Sequence, residues 1–230
     1  MNNSRFLKIG HRGVSGHEPE NTLRSFRKAI ELGVNMVELD VYVCKSGELV
    51  VIHDDKVDRT TNGRGYVIQK TFSELRELDA GDGEKIPTLE EVLDLVDKKV
   101  AVNIELKGAG AAQPVAQVIQ KYVKDYGWTL EHFLVSSFNH GELRKFKELL
   151  PQVKIGALIT GIPVDYAAFG QELGAFSVNL SLEFINQEFI EDAHKRGLKV
   201  YVYTVNDDDD IQRMKDLGVD GIFSNYPERL

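Results

Sequence analysis

Acidic and apolar residues alternate in the segment MVELDVYV. Glu38 and Asp40 share one face of the predicted strand, because side chains two residues apart point the same way. A Ser-Gly pair then interrupts the pattern, which resumes and ends at His53, as expected for a tight hairpin. The hairpin would return an imidazole to the neighbourhood of two carboxylates, and this combination indicates a reaction site.

A third carboxylate, Glu105, occupies the corresponding part of a later apolar segment, VAVNIEL. Three anionic groups facing a poorly solvated cavity repel one another unless a cation joins them. Cys44 is the only cysteine, so no cysteine metal site exists, and oxygen ligands favour Mg²⁺ or Ca²⁺ over zinc. We therefore expect Glu38, Asp40 and Glu105 to bind a divalent cation, which would polarise a phosphoryl oxygen.

Two histidines flank the acidic residues in the predicted arrangement. Imidazoles titrate near neutrality, so His11 and His53 are suited to take a proton on one side of a reaction and give one on the other. That division of work is what cleavage of a phosphate ester requires. Arg12 and Lys107 add positive charge for the non-bridging oxygens. Together these groups favour phosphodiester cleavage over acyl or hydride transfer.

The elements that must position these residues repeat along the chain as strand, then helix. Eight strands that alternate with helices are predicted to start near Phe6, Met36, Val100, Phe133, Lys154, Ala175, Leu198 and Asp220. This number in this length predicts a (β/α)₈ TIM-like barrel with a small hairpin insertion after its second strand. The rival, an open doubly wound sheet, lacks a G-x-G-x-x-G fingerprint here. Polar residues are predicted at the carboxyl ends of these strands, where barrel enzymes hold their active sites: His11, Glu38, Asp40, Glu105, Lys107, Tyr203 and Asn206.

Length and charge restrict the class of protein. The 230 residues contain no linker-like stretch, so residues 1–230 are expected to form a single domain. A net charge of −8 argues against a nucleic-acid surface. The first strand is expected so early that no signal peptide precedes it, and no apolar run has the length of a membrane span. We therefore expect a cytoplasmic protein with a small-molecule substrate; the oligomeric state is not predicted.

At these positions the sequence resembles the glycerophosphodiester phosphodiesterase family. The matching stretches are IGHRGVSGHEPENT, VELDVYV, VVIHDDKVDRTTNGRG, IPTLEEVL, NIELKG, VSSF, VYTVN and GVDGIFSNYP. They follow one another in family order from Ile9 to Pro227. The resemblance implies a TIM-like barrel that hydrolyses glycerophosphodiesters to glycerol 3-phosphate and an alcohol with a divalent cation.

The resemblance also assigns roles to individual residues. It implies that His11 and His53 are the acid-base pair and that Arg12 and Lys107 contact the phosphate. The three carboxylates become the metal ligands. Tyr203 stands where the family often has Trp, which leaves substrate preference open. We hypothesise that His11 deprotonates the glycerol 2-hydroxyl, which attacks phosphorus to give a cyclic phosphate, while His53 protonates the leaving alcohol.

Two other functions remain open from the sequence. One is a relative that releases the head group of lysophospholipids, and the other is a catalytically silent barrel that binds a phosphorylated ligand. Several polar residues have simpler interpretations. Glu20 could steady Arg12, Arg59 could belong to a loop over the site, and the run Asp207 to Asp210 is expected to cap the last helix.

Overall fold

The structure is a computed structural model that describes residues 6–230. The expectation about a signal peptide concerns the residues before this range and lies outside the described part of the chain. The strands are β1 (Leu7–Gly10), β2 (Met36–Val43), β3 (Leu49–Val51), β4 (Ala101–Leu106), β5 (Phe133–Ser137), β6 (Lys154–Ile159), β7 (Ser177–Ser181), β8 (Lys199–Tyr203) and β9 (Gly221–Ser224). All except β3 run parallel to their neighbours.

The parallel strands close into a barrel. Strand β1 pairs with β9 on one side and with β2 on the other, so Ile9 lies opposite both Phe223 and Met36. Strand β3 pairs antiparallel with β2 and leaves the barrel as the return strand of the hairpin. The predicted eight-stranded barrel is therefore confirmed, together with its hairpin.

Helices connect the barrel strands and pack outside them, except α2, which lies in the insertion between β2 and α3. They are α1 (Leu23–Glu31), α2 (Phe72–Glu77), α3 (Leu89–Val96), α4 (Ala112–Asp125), α5 (His140–Leu149), α6 (Ala168–Glu172), α7 (Gln187–Lys195) and α8 (Asp208–Leu217). Among residues 6–230, no helix combines the length and the apolar character that crossing a bilayer requires.

Helix ends follow local capping chemistry in most places. Thr88 and Glu91 form a capping box at the start of α3, in which each side chain bonds the other residue's backbone N–H. Thr22 caps α1, and its side-chain oxygen accepts the bond from Ser25 N. The prediction for α8 was wrong in part, because Asp207 precedes the helix without a capping hydrogen bond. The three aspartates that follow Asp207 lie in the first turn of α8, where their negative charges interact favourably with the helix dipole.

The insertion between β2 and α3 is larger than a hairpin. It contains β3, α2 and a separate group of packed apolar side chains: Cys44, Val50, Ile52, Val57, Val67, Leu75, Ala80 and Ile86. Since apolar burial stabilises by about 25 cal/mol per Å², this second core holds the insertion in a fixed shape. His53 follows β3 and is therefore carried by a rigid element.

Candidate active site

A cavity of about 120 Å³ opens at the carboxyl ends of the barrel strands. Seven of the eight predicted site residues line it: His11, Arg12, Glu38, His53, Glu105, Lys107 and Tyr203. The eighth, Asp40, lies just behind the wall with 1% of its surface exposed. The structure thus brings all eight residues together at the end of the barrel where TIM-barrel enzymes have their active sites.

The three carboxylates come from two adjacent strands. Glu38 and Asp40 lie on β2, and the parallel register places Asp40 directly opposite Glu105 on β4. One oxygen from each carboxylate lies within 4.8 Å of the other two. All three residues are buried. This spacing allows the three oxygens to share one cation.

Burial and nearby negative charges disfavour ionisation of the two glutamates. Burial raises the pKa of Glu38 well above its ordinary value, and the negative charges of Asp40 and Glu105 raise it further. Burial and the charge of Asp40 likewise raise the pKa of Glu105 to about 7, although Lys107 opposes this shift. The cluster therefore lacks positive charge.

Asp40 is held by side chains from the loop between β1 and α1. Its Oδ2 accepts a hydrogen bond of 2.9 Å from Asn21 Nδ2 and lies 3.5 Å from Arg12 Nε. Its Oδ1 is buried and accepts no hydrogen bond from residues 6–230, while Lys107 Nζ lies 3.9 Å away. Buried carboxylate oxygens are rarely left without a partner, so Oδ1 is the atom of this cluster that most needs one.

The tight loop after β1 positions Arg12. The backbone N–H of Arg12 donates to Glu38 Oε2 at 2.9 Å, and its Nη1 donates to Glu20 Oε1 at the same distance. Gly13 follows with a φ of +85°, and a Cβ there would lie 2.3 Å from Ser25 Oγ. Only glycine can make this turn without displacing helix α1.

His11 has a neutral partner behind its ring. Its Nδ1 donates to Asn225 Oδ1 at 2.7 Å, and the same oxygen accepts a bond from Ser15 Oγ at 2.8 Å. Burial lowers the pKa of His11 to about 4, and the positive charge of Arg12 acts in the same direction. Near neutral pH the ring is uncharged, and Nε2 is its basic nitrogen.

His53 instead has a carboxylate behind its ring. Its Nδ1 lies 2.6 Å from Asp54 Oδ1, and its Nε2 lies 3.2 Å from Lys107 Nζ. Lys107 also donates to Glu105 at 2.8 Å. Burial lowers the pKa of Lys107, but the negative charges of Glu105 and Asp40 outweigh burial, and the pKa of Lys107 is raised above its ordinary value. Lys107 therefore stays charged between the imidazole and the carboxylates.

Aromatic side chains form the opposite wall of the cavity. Phe138, which follows β5, is 44% exposed, and the Tyr203 ring meets it edge-on at 5.7 Å. The Tyr203 hydroxyl donates to Ile159 O at 2.9 Å, and burial raises the pKa of Tyr203 to about 12. The wall thus presents a neutral, largely apolar surface to a ligand.

Several neighbours of the site were missed in the sequence. Asp54 directly follows His53, and this adjacency was the available signal for its role. Asn225 lies 214 residues from His11 and carried no local signal. Asn206, predicted at a strand end, accepts a bond from Asn225 N at 2.9 Å and so supports the site from behind. The expected contact of Glu20 with Arg12 is present.

Comparison with known proteins identifies the family. The model of the "Glycerophosphoryl diester phosphodiesterase family" matches residues 11–229. A glycerophosphodiester phosphodiesterase of Caldanaerobacter subterraneus is 42% identical, over 97% of this chain and 96% of the relative. One from Bacillus altitudinis is 36% identical, over 96% of this chain and 95% of the relative.

A solved structure supports the same assignment. The phosphodiesterase of Oleispira antarctica, in complex with the product sn-glycerol-3-phosphate, superposes with a TM-score of 0.89. It is 32% identical, and the match covers 96% of this chain and 93% of that one. Since the family model and these relatives extend over nearly the whole sequence, the chain belongs to the glycerophosphoryl diester phosphodiesterase family.

Proposed function

We propose that this enzyme hydrolyses glycerophosphodiesters to glycerol 3-phosphate and an alcohol by histidine acid-base catalysis beside a divalent cation. The main support is the convergence of three buried carboxylate oxygens within 4.8 Å, beside two imidazoles in one cavity. The Oleispira antarctica relative, which holds sn-glycerol-3-phosphate, supports the same substrate class.

The residues present fit a hard divalent cation. Glu38, Asp40 and Glu105 offer only oxygen ligands, which suit Mg²⁺ or Ca²⁺. The unpartnered Oδ1 of Asp40 and the raised pKa values of the two glutamates both indicate missing positive charge. When bound, the cation would polarise a phosphoryl oxygen and offset the charge that develops on it.

His11 is the proposed general base of the first step. Asn225 Oδ1 accepts the hydrogen bond from Nδ1–H, so Nε2 carries the available lone pair of a ring that lines the cavity. Nε2 takes the proton of the glycerol 2-hydroxyl, whose oxygen then attacks phosphorus. The low pKa of His11 keeps the ring unprotonated across the neutral range.

His53 is the proposed general acid of the same step. Asp54 Oδ1 lies 2.6 Å from Nδ1 and holds the ring in place from behind. Lys107 Nζ now lies against Nε2, and in the substrate complex it turns towards the phosphate oxygens, which leaves Nε2 facing the leaving oxygen. As the bond from phosphorus to that oxygen breaks, His53 supplies the proton.

The second step reverses the proton transfers. Water attacks the cyclic phosphate while neutral His53 takes one of its protons, and protonated His11 returns a proton to the 2-oxygen as its bond to phosphorus breaks. Attack by a tethered hydroxyl is favoured because effective concentrations of such groups reach about 10⁵ M or more. A diester that carries hydrogen in place of the 2-hydroxyl should therefore react roughly 10³-fold more slowly or worse. An unchanged rate would rule out the cyclic route.

Leaving-group dependence tests the two histidine roles. Choline needs a proton to depart, whereas p-nitrophenol departs as its anion. We expect His53→Ala to lose about 10²- to 10⁴-fold in kcat on glycerophosphocholine and much less on a p-nitrophenyl diester. His11→Ala should lose activity on both substrates. Wild-type turnover in both variants would remove the catalytic assignment and leave a barrel that only binds phosphorylated ligands.

A second substrate class is favoured by one observation. Exposed apolar side chains follow three successive barrel strands, at the same end of the barrel as the cavity: Phe138, Ile162, Val164 and Phe184. A lysophospholipid could place its acyl chain along this strip while its phosphodiester enters the cavity. Comparison of kcat/KM for lysophosphatidylcholine and glycerophosphocholine decides between them, since a higher value for the glycerophosphodiester excludes the lipid as the preferred substrate.

A further inference from the structure

The guanidinium of Arg59 is fully engaged although half of its side chain is exposed. Its Nε and Nη2 donate to the two oxygens of Asp54 at 2.7 and 3.0 Å. Its Nη1 and Nη2 donate to the two oxygens of Glu20 at 2.8 and 2.7 Å. Paired bonds between a guanidinium and a carboxylate fix geometry as well as charge. Isolated surface ion pairs rarely achieve such order.

Each carboxylate that binds Arg59 also binds a proposed active-site residue. Asp54 Oδ1 contacts His53 Nδ1 at 2.6 Å, and Glu20 Oε1 accepts a bond from Arg12 Nη1 at 2.9 Å. Arg59 itself does not line the cavity. It therefore joins two functional groups from outside, across the boundary between the insertion and the loop after β1.

We propose that Arg59 is a positioning residue for the phosphodiester reaction, which fixes Asp54 and thereby the ring of His53. The inference depends on the proposed role of His53 as a catalytic residue. It assigns to Arg59 an effect on the proton transfer itself and not on substrate binding.

Asp54 alone would orient His53 poorly. It is partly exposed, so water could bind either of its oxygens and the side chain could rotate away from Nδ1. The two bonds from Arg59 remove that freedom and leave Oδ1 directed at the ring. They also hold the pKa of Asp54 well below its ordinary value, so this carboxylate stays charged. Proton transfer needs heavy atoms within about 2.6–3.2 Å, so small rotations of the ring reduce the rate.

The chain contains a matched control for this proposal. Arg24 lies in the first turn of α1, next to the loop that carries Glu20, and binds Asp82 of the insertion, with Nη2 to Oδ2 at 3.0 Å; its partners in the described chain do not include Asp54 or His53. Loss of Arg24 thus weakens the attachment of the insertion and leaves the ring support intact. Comparison of Arg59→Ala with Arg24→Ala separates positioning of His53 from docking of the insertion.

The experiment measures kcat and KM of Arg59→Ala, Arg59→Lys and Arg24→Ala on glycerophosphocholine and on a p-nitrophenyl diester. Loss of a supporting partner typically costs about 10- to 100-fold. We therefore expect kcat of Arg59→Ala on glycerophosphocholine to fall by this factor. KM should change much less. The defect should shrink on the p-nitrophenyl substrate, because that leaving group needs no proton from His53. Added guanidinium at a non-denaturing concentration should restore part of the activity, and Arg24→Ala should keep wild-type kcat.

Three results would overturn the proposal: wild-type kcat in Arg59→Ala, an equal loss in Arg24→Ala, or an equal loss on both leaving groups. Thermal unfolding identifies any folding defect, and Arg59→Lys, which keeps the charge without the paired bonds, is then compared in its place. His53→Ala measured in parallel separates this proposal from the proposed function. If His53→Ala keeps activity, the proposed function fails; if only Arg59→Ala keeps it, the positioning role fails alone.

Discussion

The substitution Glu105→Gln should stabilise the protein at alkaline pH when no divalent cation is present. Glu105 is buried beside Asp40, and both effects raise its pKa from the ordinary 4.5 to about 7. Glutamine is a neutral group of nearly the same shape, and its carbonyl oxygen can still accept the bond from Lys107. The variant therefore removes an unfavourable charge while it keeps most contacts.

The size of the effect follows from the pKa. A rise from 4.5 to about 7 means that ionised Glu105 costs about 3 kcal/mol in the folded state, since each tenfold change in proton affinity is worth about 1.4 kcal/mol. The unfolded chain ionises first, so stability falls as pH rises through this range. At pH 5 the two proteins should differ little, because Glu105 is then largely protonated when folded. At pH 8 the variant should be more stable by about 3 kcal/mol.

The effect of Glu105 is the difference between the free energies of unfolding of the wild type and Glu105→Gln at the same pH. His11 acts with the opposite sign, because burial lowers its pKa from 6.5 to about 4 and folding then requires a neutral ring. Its contribution to stability grows as pH rises from 4 to 6.5 and masks part of the Glu105 effect in the wild type. His11 is present in both proteins, so its contribution cancels in the difference.

Urea unfolding followed by tryptophan fluorescence suits this measurement. Trp128 is the only tryptophan, is 3% exposed and stacks on Phe133 at 5.1 Å. Unfolding curves are recorded with EDTA at pH 5 and pH 8, and again with Mg²⁺ or Ca²⁺. A cation at 100 times its Kd should stabilise the wild type by about 2.7 kcal/mol, and it should stabilise Glu105→Gln much less.

Two results would refute this reasoning. If Glu105→Gln were less stable than the wild type at pH 8 with EDTA, the carboxylate would not be under electrostatic strain. If the cation stabilised both proteins equally, Glu105 would not be one of its ligands. Glu20→Gln is the control for general loss of acidic charge, because Glu20 lies outside the carboxylate cluster and is already paired with two arginines.

Three further outcomes are expected. Asn225→Asp places a charge behind His11, which should raise its pKa and move the acidic limb of the kcat/KM profile to higher pH. Gly13→Ala should destabilise by about 2 kcal/mol or more in urea unfolding, because left-handed backbone and a steric clash coincide there; Gly47→Ala, with a φ of +103° and open space, should cost about half as much. EDTA should abolish turnover, with recovery on addition of Mg²⁺ or Ca²⁺ in the wild type but not in Glu38→Gln.

Strand periodicity was sufficient to predict most of the barrel. Apolar and acidic residues alternate from Val37 to Val41, and a strand with buried apolar neighbours has only one way to orient such a pattern. The chain therefore had to place Glu38 and Asp40 on the same side. Helix α6 begins only at Ala168, after an exposed loop that contains Ile162 and Val164, so its start does not follow from the apolar pattern.

The support behind each histidine could not be predicted in the same way. Asn225 and His11 are 214 residues apart in the sequence and meet because the barrel closes. Arg59 and Glu20 are 39 residues apart and meet because the insertion packs against the loop after β1. Neither contact follows a local period, so single-sequence patterns contain no sign of it. The insertion also looked like a bare hairpin, since its core forms from residues spread between Cys44 and Ile86.

Apolar residues of the same strand hold the carboxylate cluster in place. Strand β2 buries Val37, Leu39 and Val41 completely on the face opposite its acidic residues. A one-residue slip of β2 would turn those apolar side chains into the cavity and the carboxylates into the core, at a cost of about 1.5–3 kcal/mol for each apolar side chain lost from burial. The register is therefore fixed by apolar residues, and a strained arrangement of charges can persist beside them.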